Sequence, residues 1–376
     1  MKIKLLTVAI LLSFWQILKA QTQPCDVWEA EQCCLMDGRG MWKNDTLYYL
    51  PSERHDAGFD TIPHMYADRY FMEAYNEMME MLRGARQLDL KRAEFLVEWA
   101  FLEGTPDYAS HCHAIDSVVQ TLRQFIQLNG LKRYRSGVNY ALFDYFTKPS
   151  PLNDNRAFSY DFEDFAGNKD FTKLFITKVM RTHSGQCTSL PLYYKILCDE
   201  LGGQSALALA PSHMFVKHIG EDGRWVNVEL TNGHTARDEW IIQKLGVSVE
   251  AIRHGTFLCA LTEQQNIALM LVHLASAYKQ KYGNYDYFTL RCADGVLSCL
   301  PDFCEALVLQ ECTHQAFGFA YLDRFGQRPC DFIRWNYARY KQAFDRLNQL
   351  GYTQVGEEQY GIMKQKEIEQ LESKAK

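Results

Sequence analysis

The stretch Arg181-Thr-His-Ser-Gly-Gln-Cys-Thr-Ser-Leu-Pro-Leu-Tyr-Tyr-Lys-Ile-Leu-Cys-Asp-Glu-Leu-Gly-Gly203 constrains this chain more than any other. Leu190, Tyr194, Leu197 and Leu201 recur at helical spacing, and Gly202-Gly203 supplies a stop. Pro191 has no N–H to give and is tolerated only in a first turn, so the helix should begin near Cys187 or Thr188, after Ser184-Gly185. Cys187 then faces the unsatisfied N–H groups of a helix start. Those donors and the helix dipole favour a thiolate over a thiol, the form that a nucleophilic cysteine needs. A lone cysteine is often just a buried small side chain, but the Gly185-Gln186-Cys187 entrance to a helix favours chemistry.

With 376 residues the chain can bury a substantial core, and its length suggests about two to three structural units. Its 40 basic and 46 acidic residues are scattered, which leaves no electrostatic footprint for nucleic acid. Residues 1–20 carry Lys2 and Lys4, an apolar run from Leu5 to Leu18 and a small residue, Ala20, in the manner of a cleaved secretory signal. Thr7, Ser13 and Gln16 interrupt that run, which is short for a bilayer. The mature protein is therefore expected to be exported, periplasmic or extracellular, and free of the membrane. Twelve cysteines in such a compartment invite bridges. Cys187 and Cys198, three turns apart on one helix or about 16 Å, are beyond disulfide reach. Cys25, Cys33 and Cys34 in an irregular segment are the best bridging candidates, whereas Cys292, Cys299, Cys304 and Cys312 fall in helical patterns suited to small buried thiols.

Residues 21–110 read as an irregular segment followed by two amphipathic helices, Met65 to Gly84 and Asp89 to Gly104. A third helix runs from Ala114 to Leu128 and closes at Asn129-Gly130. His111-Cys112-His113 just before it suggests metal ligands, but alternate residues at a helix start seldom converge on one ion and no second cluster has zinc-type spacing. A polar cap region is expected there, with no metal and no cofactor. From Phe146 to Phe175 the chain is rich in Asp, Asn and aromatics and leads into a helix over Lys169 to Met180. Loop residues ahead of a nucleophile helix line sites, so Tyr160 and Asn168 are candidate substrate-binding residues, together with Gln186 and Asn227.

The second part of Ser205 to Ile219 has strand composition, Gly220-Glu-Asp-Gly223 turns the chain, and Arg224-Trp-Val-Asn-Val-Glu-Leu230 alternates as a strand. Register decides whether His213 and Glu229 can meet. A two-residue turn at Asp222-Gly223 puts them on opposite faces. A three-residue loop with Gly223 left-handed makes them diagonal neighbours on one face, and this is the register expected. His213 then serves as base for Cys187, and Glu229 holds the imidazole tautomer.

These residues resemble the transglutaminase-like branch of the papain-type cysteine fold, in particular bacterial proteins that join such a core to tetratricopeptide-like helices. The resemblance spans roughly Ala114 to Thr256 and rests on Ser184-Gly-Gln-Cys-Thr-Ser-Leu, Leu201-Gly, Pro211-Ser-His-Met-Phe-Val and Trp225-Val-Asn-Val-Glu-Leu-Thr. In that family a cysteine is nucleophile, a histidine base and an aspartate the third member, roles that fall on Cys187, His213 and Glu229. Glu229 departs from the family's aspartate by one methylene, which makes Asn227 a substitute orienter.

The resemblance implies an α+β fold: a core over residues 111–260 with the nucleophile helix packed on a small antiparallel sheet, flanked by N-terminal helices. Over 261–376 a helical array is expected. Asn266 to Tyr282 and Tyr285 to Leu300 form a pair in which Leu274-Ala-Ser-Ala-Tyr278, Gly283-Asn-Tyr285 and Pro301 resemble one tetratricopeptide unit. Helices over Asp302 to Phe325, Asp331 to Leu350 and Glu357 to Lys376 continue it. The implied activity is cysteine-dependent acyl transfer, with hydrolysis of an amide or peptide bond in a peptide or protein substrate. The other class is an inactive platform whose helical surface binds a protein partner.

Overall fold

The computed structural model describes residues 69–164, 167–325 and 331–355, so the leader, Cys25, Cys33, Cys34 and the helix over 357–376 lie outside the described residues. The described chain is an α+β protein, mostly helical, with a small antiparallel sheet. It divides into two compact units: residues 70–281 with 347–355, and residues 282–346. The expected boundaries at 110 and 260 do not separate compact units, because the helices before residue 110 fold with the sheet.

Helices α1 (Arg69–Leu82), α2 (Leu90–Phe101), α3 (Tyr108–Leu128) and α4 (Gly137–Thr147) open the described chain. Asp89 caps α2 by accepting from the Arg92 N–H, and a two-pronged ion pair from Arg92 to Glu77 at 2.7 and 2.9 Å ties α2 to α1. Asp107 caps α3 through the Ser110 N–H, so that helix starts at Tyr108 and His111-Cys112-His113 lie inside it. The polar cap region expected there is corrected to a helical turn with His111 buried and His113 exposed.

Next come β1 (Ser159–Tyr160), α5 (Ile176–Thr182), β2 (Ser184–Gly185) and α6 (Ser189–Glu200). The helix expected from Lys169 to Met180 is broken: a short 3-10 turn over Phe171–Leu174 precedes α5. Strands β1 and β2 pair in parallel, Ser159 with Ser184 and Tyr160 with Gly185. Lys178 clamps the pair, reaching Asp161 Oδ2 at 2.7 Å and the Ser184 carbonyl at 2.9 Å.

A meander of β3 (Ala206–Ala210), β4 (His213–Ile219), β5 (Trp225–Glu229) and β6 (His234–Ala236) forms the sheet in that order. The first half of the Ser205 to Ile219 segment is thus a strand too, and the chain reverses at Ser212, whose φ is 54°. Leu190, Tyr194, Leu197, Phe215 and Val216, all fully or nearly fully buried, contribute to the core of this unit, where α6 packs on β3 and β4. Helices α7 (Asp238–Leu245), α8 (Val249–His254) and α9 (Glu263–Tyr282) follow. Lys195, 1 % exposed on α6, is held by Asp199 at 2.7 Å and by Glu263 at 2.9 Å, which pins the start of α9 to the nucleophile helix.

The second unit contains α10 (Tyr287–Cys299), α11 (Cys304–Phe325) and most of α12 (Asp331–Gln349). The Thr289 and Thr313 hydroxyls meet at 3.1 Å and the Tyr287 and Phe317 rings at 4.8 Å between α10 and α11, while His314 meets Asn336 of α12 at 2.9 Å. Helix α9, expected as the first helix of a pair, belongs to the sheet's unit as far as Lys281.

Gly185 is the tightest point of the nucleophile arm. A Cβ there would stand 2.7 Å from Val179 Cγ2 and 2.8 Å from Ser189 Oγ. Gly185→Ala is expected to destabilise the protein by about 1–3 kcal/mol through overpacking, read as a lower midpoint in urea unfolding.

Candidate active site

The site is built by three local devices. The first delivers Cys187. Helix α6 begins at Ser189, one or two residues later than the sequence suggests, but the Leu190 N–H already reaches the Gln186 carbonyl at 3.1 Å, so Cys187 sits in the opening turn. Pro191 occupies the position whose N–H would otherwise point at Cys187. The backbone N–H of Cys187 meets no acceptor among the described residues. Helix starts leave such donors open, and an oxyanion is the partner they suit.

The second device is the hairpin of β4 and β5. Gly220 and Arg224 close it, with the Gly220 N–H donating to the Arg224 carbonyl at 2.8 Å, and Gly223 has φ 78°. The loop therefore has the three residues that the register argument requires. Ile219 pairs with Trp225 and Val216 with Val228, which makes His213 and Glu229 diagonal neighbours on one face. His213 Nε2 lies 2.6 Å from Glu229 Oε2. The other carboxylate oxygen, Oε1, accepts from the Thr231 hydroxyl at 2.7 Å and the Thr231 N–H at 3.2 Å. With Nε2 engaged by Glu229, Nδ1 is the ring nitrogen left for Cys187.

The third device closes the walls. Cys187, His213 and Glu229 line one cavity of about 50 Å3 with Tyr160, Phe162, Trp240, Lys244 and Val355 among its other walls. Tyr160 arrives through the β1–β2 pairing, which sets it beside Gly185. Trp240 and Lys244 come from successive turns of α7, with Lys244 Nζ 4.4 Å from the Trp240 ring centre. Val355 is tied in place by its N–H, which donates to Ser212 Oγ at 3.1 Å.

The other sequence candidates stand elsewhere. Gln186 is fully buried and its Oε1 accepts from the Ser189 hydroxyl at 3.3 Å, but it does not line the cavity. Asn227 shares a face with Glu229, but its Nδ2 donates to Asp238 Oδ1 at 2.6 Å and it stands outside the cavity. Asn168 is exposed, with its carbonyl accepting from Gln280 at 2.8 Å. Sequence reasoning missed Trp240, Lys244 and Val355. The spacing of Trp240, Ile241, Lys244 and Leu245 on one face of a short helix was the signal available for the four wall residues that α7 supplies.

The charges around the imidazole are set by burial and partners. Burial by itself pulls the His213 pKa down, but the Glu229 charge and hydrogen bonding to Cys187 and Glu229 outweigh it and raise the value to about 10. Burial pushes Glu229 up, and the His213 charge with the His213 and Thr231 hydrogen bonds brings it below the usual glutamate value. The neutral-pH site therefore holds an imidazolium against a buried carboxylate. Cys187 forms no disulfide among the described residues.

No family model, no curated protein and no solved structure matches this chain.

A raised histidine pKa and a lowered glutamate pKa fix the sign of the pH dependence. His213 contributes stability in full below about pH 6.5, its unfolded value, and loses it as pH rises through about 10. Glu229 contributes above its unfolded value and loses that contribution as pH falls through its depressed folded value. The stability gap between the wild type and Glu229→Gln, measured by urea unfolding, is therefore expected to be widest between about pH 5 and 6.5 and to narrow steadily towards pH 10. In the same variant, proton NMR of the His213 ring should place its pKa well below that of the wild type.

Cys187 is half-buried, and Val355 forms part of the wall beside it. Val355→Gly is expected to raise the rate at which iodoacetamide alkylates Cys187 severalfold, measured by peptide mass mapping at neutral pH.

Proposed function

We propose that the chain is a cysteine-dependent acyl-transfer enzyme of the transglutaminase-like class, exported through its leader, that hydrolyses an amide or peptide bond. The observation that carries this reading is the common cavity of Cys187 and His213, with Glu229 on the far side of the imidazole at 2.6 Å. Nucleophile, base and orienter stand in the order that covalent catalysis requires.

In this reading the imidazolium stabilises the Cys187 thiolate, which attacks the carbonyl carbon of the substrate amide. A C–S bond forms, and the oxyanion is held by the open Cys187 N–H. The tetrahedral intermediate collapses as His213 gives its proton to the departing nitrogen, so the C–N bond breaks and an amine leaves. Water then adds to the thioester while His213 takes one of its protons. The carboxylic acid departs and the thiolate–imidazolium pair is restored. Glu229 keeps the ring in place and supports its positive charge throughout, an orienting role like that of the third member of a triad.

The fold class around this site, a helix carrying the cysteine packed on a small antiparallel sheet, supports the same reading. The apolar and aromatic walls, Tyr160, Phe162, Trp240 and Ile241, suit a peptide or protein substrate with an apolar side chain next to the cleaved bond.

Alkylation by iodoacetamide at pH 7 tests it. Cys187 is expected to react faster than the other described cysteines, and His213→Ala is expected to slow that reaction by a factor of about 10 or more, as the sulfur loses the group that activates it. Equal rates in the wild type and His213→Ala would leave the chain as a non-catalytic platform.

A further inference from the structure

Behind the nucleophile arm lies a second cavity, of about 260 Å3, entirely within the unit that holds the sheet. At about 30 Å3 per liquid water it has room for roughly eight waters, or for one small organic molecule. Its apolar lining consists of Val97, Phe171, Leu174, Phe175, Leu192 and Met270. Its polar groups are Glu94 and Glu98 of α2, Thr188 from the residue after Cys187, and His273 and Ser276 of α9.

Two of these groups carry a buried oxygen that makes no hydrogen bond. Glu94 is 4 % exposed; its carboxyl is linked to Glu98, but its Oε2, 3.9 Å from His111 Nε2, makes no hydrogen bond. Thr188 Oγ1 is likewise buried and unpaired. His273 is half-buried beside them, and burial lowers its pKa to about 4, so it stands neutral with an acceptor nitrogen to offer. Buried polar atoms are seldom left without partners, and two around one cavity point to an occupant.

The charge of that occupant follows from the lining. Glu98 is 1 % exposed and accepts from the Thr177 hydroxyl at 2.5 Å and the Thr177 N–H at 3.1 Å. Burial and the neighbouring Glu98 charge raise Glu94 well above the usual carboxylate range, which leaves the two carboxyls sharing a proton. No lysine or arginine lines the space. A cation is the ligand that a low-dielectric pocket of this kind lacks, and the apolar wall asks for a short hydrocarbon tail.

We propose that this cavity is a binding site for a small aliphatic primary ammonium ion, whose N–H donors meet Glu94, Thr188 and His273 and whose alkyl chain lies against Phe171, Phe175 and Met270. The site is distinct from the cavity that Cys187 lines. It touches the nucleophile arm through Thr188, the residue that caps α6. An occupant there bonds to the first turn of the helix that carries the sulfur.

Isothermal titration of the full-length protein with n-butylammonium chloride, against 1-butanol as the neutral isostere, tests the assignment. Saturable binding of butylammonium with no comparable binding of butanol is the expected result. Glu94→Gln keeps the shape and the link to Glu98 but cannot ionise, and it should weaken butylammonium by about tenfold or more, as expected for loss of a charge-assisted hydrogen bond. Ser276→Leu, which fills the space from α9, should abolish binding while circular dichroism and the melting transition report a folded protein. Butanol binding as tightly as butylammonium would overturn the proposal in favour of a merely apolar void. Absence of heat with both probes in a folded protein would overturn it in favour of water alone.

Discussion

The buried Glu229 carboxylate is the constraint around which the sheet is arranged. At 3 % exposure it has lost nearly all contact with water, and an isolated charge in such a place costs several kcal/mol. Three contacts offset that cost: the imidazolium of His213 at 2.6 Å and the hydroxyl and N–H of Thr231. The Thr231 contacts are local to the chain, but the imidazolium is supplied across the hairpin and depends on the register. A slip of one residue between β4 and β5 would turn His213 to the opposite face and leave the carboxylate without its counter-charge, so the three-residue loop and the left-handed Gly223 are selected by electrostatics as much as by turn geometry.

That is also why the hairpin was legible from the sequence. Val226 and Val228 alternate with Trp225, Asn227 and Glu229, and a glycine stands where a left-handed residue is needed. The nucleophile arm was legible for a similar reason, since Pro191 admits only one placement of the helix start. Other segments gave no such local marker. Ala206-Leu-Ala-Leu-Ala210 is buried at every position, so it lacks the alternation of a half-buried strand and its composition suits a helix as well. Helix α3 starts six residues before its apolar stripe because Asp107, a loop residue, supplies the cap. Asn227 illustrates the limit of face-sharing as an inference. It lies on the same side as Glu229, but two residues along a strand is about 6–7 Å, and at that distance its neighbours are Lys217 and Asp238 rather than His213.

The N-terminal helices are part of the support of the site rather than a lead-in to it. Glu98 of α2 accepts from both donors of Thr177 and so fastens the start of α5, the helix that ends at His183 and hands the chain to Gly185 and Cys187. His183 takes φ 54° to make that turn and stacks on Phe158 at 4.5 Å. Placing the sulfur therefore depends on a carboxylate some 90 residues earlier in the chain, a dependence that no local sequence pattern expresses.

The walls of the cavity at Cys187 come from segments far apart in the chain. Cys187, His213 and Glu229 are fixed by the opening turn of α6, the sheet register and the buried ion pair. Val355 lines the same space and donates its N–H to Ser212 Oγ, while Leu350 and Tyr352 just before it meet Thr256 and Phe257. Ser212 is the residue at which the chain reverses into β4, with φ 54°, and it stands next to His213. The turn that brings the imidazole to the sulfur is thus the same turn that holds Val355, so the base and this part of the wall are set together.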